Sequence, residues 1–213
     1  MSRKTPRPAP TEPAPTAGNG RRALFVGLAA FAVVAVAAIV LLRGGRPAPD
    51  ASADDANRAA ALASTHSPTE GEGGAPVHVV EFLDPACETC AQFYPIVRQL
   101  MTQNPGRIRL SIRHVAFHGG SEFAVRVLEA SRAQDKYWQT LETLFATQAQ
   151  WAPNHTVQPE LVLQAIAPVG LDRGRLETDM NAPAVAERMA QDMRDAVTLK
   201  VTATPEYFVN GRG

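Results

Sequence analysis

The hydrophobic pattern first separates an uninterrupted apolar run from the rest of the chain. Residues 23–42 carry no charged side chain and form a run of twenty largely apolar residues. A helix of that length rises about 30 Å, which is enough to cross the hydrocarbon core of a bilayer. The pattern therefore predicts a transmembrane helix over residues 23–42.

A cleaved signal peptide is the alternative interpretation of this run. The apolar stretch of a signal peptide is normally about 7 to 15 residues long, and a small-residue cleavage site follows it at once. Here the run is longer, Arg43-Gly44-Gly45-Arg46 follows it, and the small residues at 51–53 lie further on. We therefore favour an anchor. Five basic residues precede the run and two follow it closely, so the positive-inside rule predicts a cytoplasmic N-terminus.

Two polar segments flank the apolar run. Residues 1–22 are rich in Pro, Ala and Thr and cannot bury a core, so we expect a disordered cytoplasmic tail. Residues 43–75 are dominated by Pro, Ala, Asp, Glu, Gly and Ser, and we expect a flexible linker that reaches about 30 Å from the membrane. Within this linker, Asp54 and Asp55 can cap a short Ala-rich helix that ends at Leu62.

From residue 76 onwards, strand and helix patterns alternate along a folded domain. Residues 77–83 are rich in β-branched side chains and predict a buried strand. Apolar residues at helical spacing then predict a helix from Cys87 to about Gln103. In residues 108–114, apolar side chains alternate with a polar face that carries arginines, and this predicts a second strand.

A long helical stretch separates these elements from a last strand. Several amphipathic helices are predicted between about 121 and 199, and residues 207–209 predict the strand. We assign the apolar stripes of these helices to core packing rather than to a cofactor pocket. The last helix has such a stripe at four-residue spacing: Val185, Met189, Met193 and Val197.

Charge argues against a nucleic-acid partner. The chain has 21 basic and 21 acidic residues, and its formal net charge is zero. Five of the basic residues but only one acidic residue precede the apolar run, so the remainder carries a slight negative excess. Nucleic-acid binding needs a basic surface.

The chain contains only two cysteines, and both lie in the sequence Cys87-Glu88-Thr89-Cys90. Two cysteines cannot build a disulfide scaffold and supply only two of the four ligands of a structural zinc site. The pair stands between a predicted strand and a predicted helix, where the helix dipole favours a thiolate at Cys87. Cys90, one turn later, lies close enough to close a disulfide and release a bound substrate.

Three further features occur in register with the cysteines. Glu81 lies six residues before Cys87, Pro95 lies five residues after Cys90, and Thr204-Pro205 precedes the last strand. With these features, the chain resembles thioredoxin-fold proteins, and most of all the DsbA-like branch. The resemblance covers residues 76–213. It implies an α/β thioredoxin fold in which a helical subdomain is inserted at about 121–199.

The resemblance also implies roles for the site residues. Cys87 is the nucleophile and Cys90 the resolving thiol, while Glu81 relays a proton to or from Cys90 as a buried carboxyl with a raised pKa. Thr204 and Pro205 are expected to form a cis peptide bond that leaves Thr204 backbone groups free to pair with an extended substrate chain.

The two residues between the cysteines are expected to tune the redox equilibrium. A histidine before the second cysteine would help to hold Cys87 as a thiolate, but Thr89 occupies that position. Glu88 adds a negative charge beside Cys87. We therefore expect a Cys87 pKa above that of the strongest oxidants, and a less oxidising disulfide.

The sequence as a whole predicts a membrane-tethered thiol–disulfide oxidoreductase that needs no cofactor or metal. In a bacterium, which the resemblance implies, the catalytic domain would face the periplasm from the inner membrane. Its partners would be cysteine-containing proteins, a membrane redox protein, and the bilayer through residues 23–42.

Two alternative functions stay open. One is a thioredoxin-like reductase or isomerase fed by a membrane electron carrier, and the other is a Cu(I)-handling protein that uses the same cysteines. His114 and His118 could line a substrate groove or bind a metal with the cysteines, but we favour surface or capping roles. Because the family's closing strand and helix do not follow Gly211, we expect the sequence to be a fragment.

Overall fold

A computed structural model describes residues 51–213, and a four-stranded sheet forms the centre of this part of the chain. The strands are β1 Thr69–Glu70, β2 Val77–Leu83, β3 Ile108–His114 and β4 Glu206–Val209. The helices are α1 Ala51–Leu62, α2 Glu88–Gln103, α3 Ser121–Ser131, α4 Tyr137–Ala146, α5 Gln148–Trp151, α6 Pro159–Ala165, α7 Arg173–Met180 and α8 Pro183–Leu199. Short 3-10 turns at Arg132–Gln134, Pro153–His155 and Ala167–Val169 connect some of the helices.

Strand β2 occupies an inner position in the sheet, whose order is β1-β3-β2-β4. It pairs in parallel with β3, with Val77 opposite Ile108, and α2 makes the crossover between the two strands. On its other side it pairs antiparallel with β4. Because β2 is hydrogen-bonded along both edges, its C-terminal end is a rigid base for the residues that follow.

The two faces of the sheet contribute to different parts of the core. Alternate side chains of β2 point to opposite faces, so Phe82 and Leu83 belong to different clusters. Phe82 packs edge-on against Phe208 of β4 at a centroid distance of 5.9 Å, in the cluster that α1 and α8 cover. Leu83 packs among side chains from α2 and the inserted helices. The predicted helical insertion is therefore part of the core that encloses the cysteines.

Helix α2 begins directly after Cys87, which is its N-cap residue, with extended φ and ψ of −79° and 117°. The helix contains Pro95, whose missing N–H normally costs about 3 kcal/mol in a helix interior. Only one side of α2 is buried, through Cys90 and Tyr94. The helix ends at Gln103 with Asn104 as its C-cap, and Gly106 adopts the left-handed φ of 70° that turns the chain towards β3.

The predicted flexible linker over 43–75 is wrong for much of its described part. The short Ala-rich helix predicted to end at Leu62 is confirmed as α1, but strand β1 was not predicted, and Thr69 of β1 pairs with Ser111 of β3. Ala61 is only 4% exposed, and its carbonyl oxygen accepts a hydrogen bond of 2.9 Å from Arg113 Nη1. The composition misled the prediction because small alanines and a distant arginine, rather than large apolar side chains, hold the segment.

The polar face predicted for β3 does not face solvent. Arg113 is fully buried, and its guanidinium pairs with Asp192 and Asp195 of α8. His114 was expected at the surface or in a cap, but it is 2% exposed and its Nε2 lies 2.9 Å from the Tyr137 hydroxyl. Helices cover both faces of the sheet, so residues 110–114 of β3 are buried on both faces.

The stripe predicted to pack in the core along the last helix is only partly buried. Val185 is 3% exposed, but Met193 and Val197 are 36% and 74% exposed. Helix α8 instead turns the face with Asp192 and Asp195 towards the sheet, because those carboxylates pair with Arg113.

The predicted membrane span over 23–42 and the tail over 1–22 lie outside the described residues. Within residues 51–213, none of the helices combines the length and the apolar character needed to cross a bilayer.

Candidate active site

The two cysteines lie at the junction between the end of β2 and the start of α2. Residues 84–86 form the turn after β2, and the Cys87 amide donates a 3.0 Å hydrogen bond to the Asp84 carbonyl. Both cysteines are free thiols. Cys87 at the helix start is 5% exposed, whereas Cys90, one turn inside α2, is fully buried. The arrangement presents one sulfur at the edge of the protein and encloses the other.

The loop between α8 and β4 faces the first cysteine. Cys87 Sγ lies 3.3 Å from the carbonyl oxygen of Thr204, and the Thr204–Pro205 peptide bond is cis, as predicted. Pairing of β4 with β2 brings this loop to the end of β2, next to the start of α2. The fold thus places the predicted threonine–proline loop against the predicted nucleophile.

The site stabilises a thiolate at Cys87. Its pKa is lowered to about 5, chiefly because the Cys90 thiol donates a hydrogen bond to it. Burial acts in the opposite direction, but hydrogen bonds from the Thr204 side chain and from the backbone amides of Cys90 and Thr89 add to the lowering. These amides are unpaired groups of the first helical turn, which favours negative charge.

The environment of Cys90 has the opposite effect. Its hydrogen bond to Cys87 raises the Cys90 pKa far above the ordinary thiol value, and burial raises it further. The negative charges of Cys87 and Glu81 act in the same direction. Near neutral pH, the pair therefore holds a thiolate at Cys87 and a thiol at Cys90, and the Cys87 sulfur is the more reactive.

Glu81 is a fully buried carboxyl in β2, as predicted from its position in an apolar strand. Burial raises its pKa to about 7, although a hydrogen bond from Tyr207 opposes the shift and the nearby Cys87 adds to it. Its Oε2 has no hydrogen-bond partner within residues 51–213. A carboxyl with such a pKa can gain or lose a proton near neutral pH.

Glu88 and Thr89 both lie exposed in the first turn of α2. Glu88 is the acidic residue of that turn, and Thr89 contributes its backbone amide to the lowering of the Cys87 pKa. They border the reactive sulfur without enclosing it, so their side chains are open to solvent and to an approaching protein.

Sequence reasoning missed the residues that hold the turn before Cys87. Asp84 is fully buried, and its Oδ1 accepts a 2.8 Å hydrogen bond from the Ala86 amide. Gln148 Nε2 donates to the carbonyls of Pro85 and Cys87, at 2.7 and 3.0 Å. An aspartate that directly follows a buried strand was a usable signal for Asp84. Gln148 had none, because its role depends on contacts with residues far away in the sequence.

Two histidines also approach this turn. His118 Nδ1 lies 2.8 Å from Asp84 Oδ2, and His155 Nδ1 lies 3.4 Å from the Ala86 carbonyl oxygen. His118 was expected at the surface or in a cap, and His155 was given no role. Within the described part of the chain, no three His, Cys, Asp or Glu side chains are grouped so that they could hold a metal ion.

Comparison with known proteins identifies relatives of this chain. A family model described as thioredoxin matches residues 63–213. The chain is 32% identical over 142 residues to a Na(+)/H(+) antiporter NhaA from Herminiimonas arsenicoxydans, across 67% of this chain and 22% of that protein. It is 32% identical over 145 residues to Na(+)/H(+) antiporter NhaA 3 from Salinispora tropica. That match covers 67% of this chain and 21% of that protein. The chain spans about a fifth of the length of these curated relatives.

Solved structures share the fold. A thioredoxin-like oxidoreductase from Silicibacter pomeroyi is 32% identical, with a TM-score of 0.62 over 70% of this chain and 83% of that one. Oxidised BdbD from Bacillus subtilis is 25% identical, with a TM-score of 0.60 over 68% of this chain and 82% of that one. Wolbachia pipientis alpha-DsbA1 is 18% identical, with a TM-score of 0.62 over 72% of this chain and 79% of that one. At that identity, the likeness is one of fold alone.

Proposed function

Since the chain belongs to the thioredoxin family, in its DsbA-like branch of thiol–disulfide oxidoreductases, we propose that Cys87 and Cys90 exchange disulfides with cysteine-containing proteins. One observation carries the proposal: Cys87 Sγ at the start of α2 lies 3.3 Å from the Thr204 carbonyl, with Cys90 buried one turn behind it. A reactive sulfur, a resolving sulfur and an adjacent docking loop are the parts that the reaction requires.

In the oxidising direction, a substrate thiolate attacks Cys87 of the Cys87–Cys90 disulfide. A mixed disulfide forms between the substrate and Cys87, and Cys90 leaves as a thiolate. A second substrate thiolate then attacks the substrate sulfur of the mixed disulfide, and Cys87 leaves. The substrate loses two electrons as its disulfide forms, and the Cys87–Cys90 disulfide gains them. The reducing direction reverses these steps, with attack by the Cys87 thiolate.

Glu81 supplies the proton that Cys90 needs when it leaves. The pKa of Cys90 lies far above the ordinary thiol value, so a Cys90 thiolate takes up a proton as soon as a donor is near. Glu81 is buried and has a pKa of about 7, raised by that burial, so it is partly protonated near neutral pH. In the reverse reaction the same carboxylate accepts the Cys90 proton.

The Thr204–Pro205 loop aligns the substrate. A cysteine-containing segment in extended form pairs with Thr204 backbone groups, as an added strand does at the edge of a sheet. Thr204 and Pro205 are both partly exposed, so the loop is accessible to another chain. Pairing there puts the substrate sulfur beside Cys87 Sγ, and Glu88 and Thr89 tune the charge of that surface.

A trapping experiment tests the exchange function. In a Cys90→Ala variant, Cys87 attacks substrate disulfides but no resolving thiol follows, so mixed disulfides should accumulate and disappear on reduction. The Cys87→Ala/Cys90→Ala variant is the matched control and should trap nothing. Stoichiometric Cu(I) binding by the wild-type pair, with no partner trapped, would instead favour the metal-handling function.

The membrane anchor and the periplasmic location are part of the same proposal. The charge-free run over 23–42 and the basic residues before it support an inner-membrane span with a cytoplasmic N-terminus. A membrane redox protein would then recycle the cysteine pair. The full chain should stay with the membrane after alkaline extraction, and a thiol reagent that cannot cross membranes should label Cys87. Extraction into the soluble fraction would contradict the anchor.

The direction of the reaction is tested by the state of the cysteines in the cell. A pair found mostly as a disulfide indicates an oxidase, and a pair found mostly as a dithiol indicates a reductase or isomerase fed by an electron carrier. Rapid acid quenching followed by alkylation and mass measurement distinguishes the two states.

A further inference from the structure

Two histidines beside the Cys87 turn form a stacked pair that the exchange steps above do not use. The rings of His118 and His155 lie 5.0 Å apart, with an angle of 26° between their planes. His118 follows β3, and His155 belongs to the loop after α5. The contact of His155 Nδ1 with the Ala86 carbonyl, at 3.4 Å, places the pair against the residue that precedes Cys87.

Asp84 fixes the orientation of the His118 ring. Its Oδ2 accepts hydrogen bonds from the amides of Phe117 and His118 and from the Ser121 hydroxyl, and it lies 2.8 Å from His118 Nδ1. Because Asp84 Oδ2 is the acceptor in the three other contacts, we assign the proton to Nδ1, which donates to Asp84. The tautomer set in this way leaves Nε2 as the nitrogen with a free lone pair.

The His118 side chain is partly exposed beside the turn that precedes Cys87. The His118 side chain is 24% exposed, while its Asp84 partner is fully buried. Within residues 51–213, Nε2 accepts no hydrogen bond. The titratable groups that contact the ring are Asp84, on the turn after β2, and His155, on the loop after α5. The ring therefore has one face stacked, one nitrogen anchored and one nitrogen unoccupied.

Resting on the exchange function proposed above, we propose that His118 acts as the general base and acid for the substrate cysteine, with Asp84 as its positioning residue. Glu81 and His118 then divide the proton transfers: Glu81 acts on the buried Cys90, and His118 acts on the substrate thiol. Histidine is the side chain that most often serves as general acid or base in proteins.

The proposed step balances in protons and electrons. In the oxidising direction, His118 Nε2 takes the proton of the substrate S–H, and the substrate sulfur forms a bond to Cys87 Sγ as the Cys87–Cys90 bond breaks. Cys90 receives a proton from Glu81, and His118 passes its proton to solvent. In the reducing direction, protonated His118 gives its proton to the substrate thiolate that leaves. The electron pair moves only between sulfur atoms.

The experiment compares pH profiles for oxidation of a cysteine peptide by the disulfide form of the full chain. A His118→Asn variant keeps an N–H donor for Asp84 but has no base in place of Nε2. Between pH 6 and 7 its rate should fall by about tenfold to a hundredfold. Above pH 9 it should equal the wild-type rate, because the peptide thiol, with an ordinary pKa of about 8.5, then ionises without help. Added imidazole should restore the rate of the variant at low pH.

A purely structural role of His118 predicts a different outcome. In that case the rate would fall equally at every pH, the glutathione equilibrium of the cysteine pair would shift, and imidazole would restore nothing. Either this result or an unchanged pH profile overturns the proposal. His78→Asn, at the opposite end of β2 from Cys87, is the matched control and should keep the wild-type profile. If the wild-type chain exchanges with no thiol at any pH, the proposed function itself fails.

Discussion

The hydroxyl of Tyr207 lies 3.1 Å from Oε1 of Glu81 and donates a hydrogen bond to it. The contact joins β4 to β2, where these two residues are paired opposite each other. It stabilises the charged form of Glu81, whereas burial stabilises the neutral form and has the larger effect. The register of β2 and β4 therefore moderates the rise in the pKa of Glu81, the carboxyl that we propose exchanges protons with Cys90.

The raised pKa of Glu81 should make stability depend on pH. Burial raises this pKa from 4.5 to about 7, so the folded protein binds more protons than the unfolded chain between these values. The stabilisation of the protonated form is complete below pH 4.5 and is lost as the pH rises through 7, a loss of ~3 kcal/mol. Glu81→Gln cannot ionise. Its stability relative to wild type should rise by this amount between pH 4 and pH 8 in urea unfolding.

Glu160 is exposed, so Glu160→Gln is the control for that measurement. Its stability relative to wild type should stay constant between pH 4 and pH 8. Tyr207→Phe removes the donor that opposes the shift, so it should move the Glu81 transition to a pH above 7. An equal pH dependence in wild type and Glu81→Gln would show that Glu81 is not the group that titrates.

Cys87 should be a thiolate in the reduced protein over most of the pH range. The hydrogen bond from Cys90 and the amides of the first helical turn lower the Cys87 pKa from 9.0 to about 5. Thiolate absorbance at 240 nm should therefore rise with a midpoint near pH 5. Iodoacetamide should modify Cys87 and spare the buried Cys90. The Cys87→Ala variant should lack this transition, and a wild-type midpoint near 9 would contradict the stabilisation.

The residues between the cysteines should set the redox potential. A Cys87 pKa of about 5 lies between values near 7 for thioredoxin and 3.5 for DsbA, so the potential should lie between about −270 and −120 mV. Thr89→His adds a positive charge next to the thiolate. It should lower the Cys87 pKa and shift the glutathione equilibrium towards the dithiol. Glu88→Gln should act in the same direction, more weakly.

Thr198 is exposed on α8, so Thr198→His is the control for a histidine added away from the cysteines. The glutathione equilibrium of this variant should match that of wild type. A tenfold change in that equilibrium corresponds to about 30 mV. A wild-type potential near −120 mV would disprove the prediction of a less oxidising disulfide. An unchanged equilibrium in Thr89→His would show that this position does not tune the pair.

The parts of the site that could be predicted from sequence are those fixed by short segments. The strand over 77–83, the turn and the helix after Cys87 each follow from local periodicity, and the structure confirms all three. The Thr204–Pro205 loop was placed by resemblance, because no local pattern indicates which distant loop a cysteine will face. The thioredoxin-like fold with its helical insertion was predicted on the same basis and is confirmed.

The failures share a different cause, which is pairing between residues distant in sequence. Arg113 resembles a solvent-facing residue of an alternating strand, since nothing near it reveals that two aspartates of α8 will meet it. Asp84 and His118 lie 34 positions apart, and neither alone indicates a buried carboxylate–imidazole contact. Composition predicts where a chain can bury apolar surface, but it does not predict which charges will be buried in pairs.

Arg113 should be essential for stability, because it neutralises two buried acids. Its guanidinium pairs with Asp192 and Asp195, and its Nη1 donates to the Ala61 carbonyl at the end of α1. Arg113→Met would leave both carboxylates buried without the guanidinium, with only His66 Nε2 still 2.7 Å from Asp192 Oδ1, and we expect a loss of about 3–5 kcal/mol. Urea unfolding should show this loss. Proteolysis should also cut within α1 faster, since the variant removes a hydrogen bond that holds the helix to the sheet.

Two further variants separate the buried charge from loss of packing. Arg126 pairs with Glu122 on an exposed part of α3, so Arg126→Met should cost less than about 1 kcal/mol. Combining Arg113→Met with Asp192→Asn and Asp195→Asn removes the unpaired negative charges, so the triple variant should be more stable than Arg113→Met alone. If the triple variant were less stable, the cost would come from lost packing and hydrogen bonds. The buried ion pairs would then not explain why Arg113 is needed.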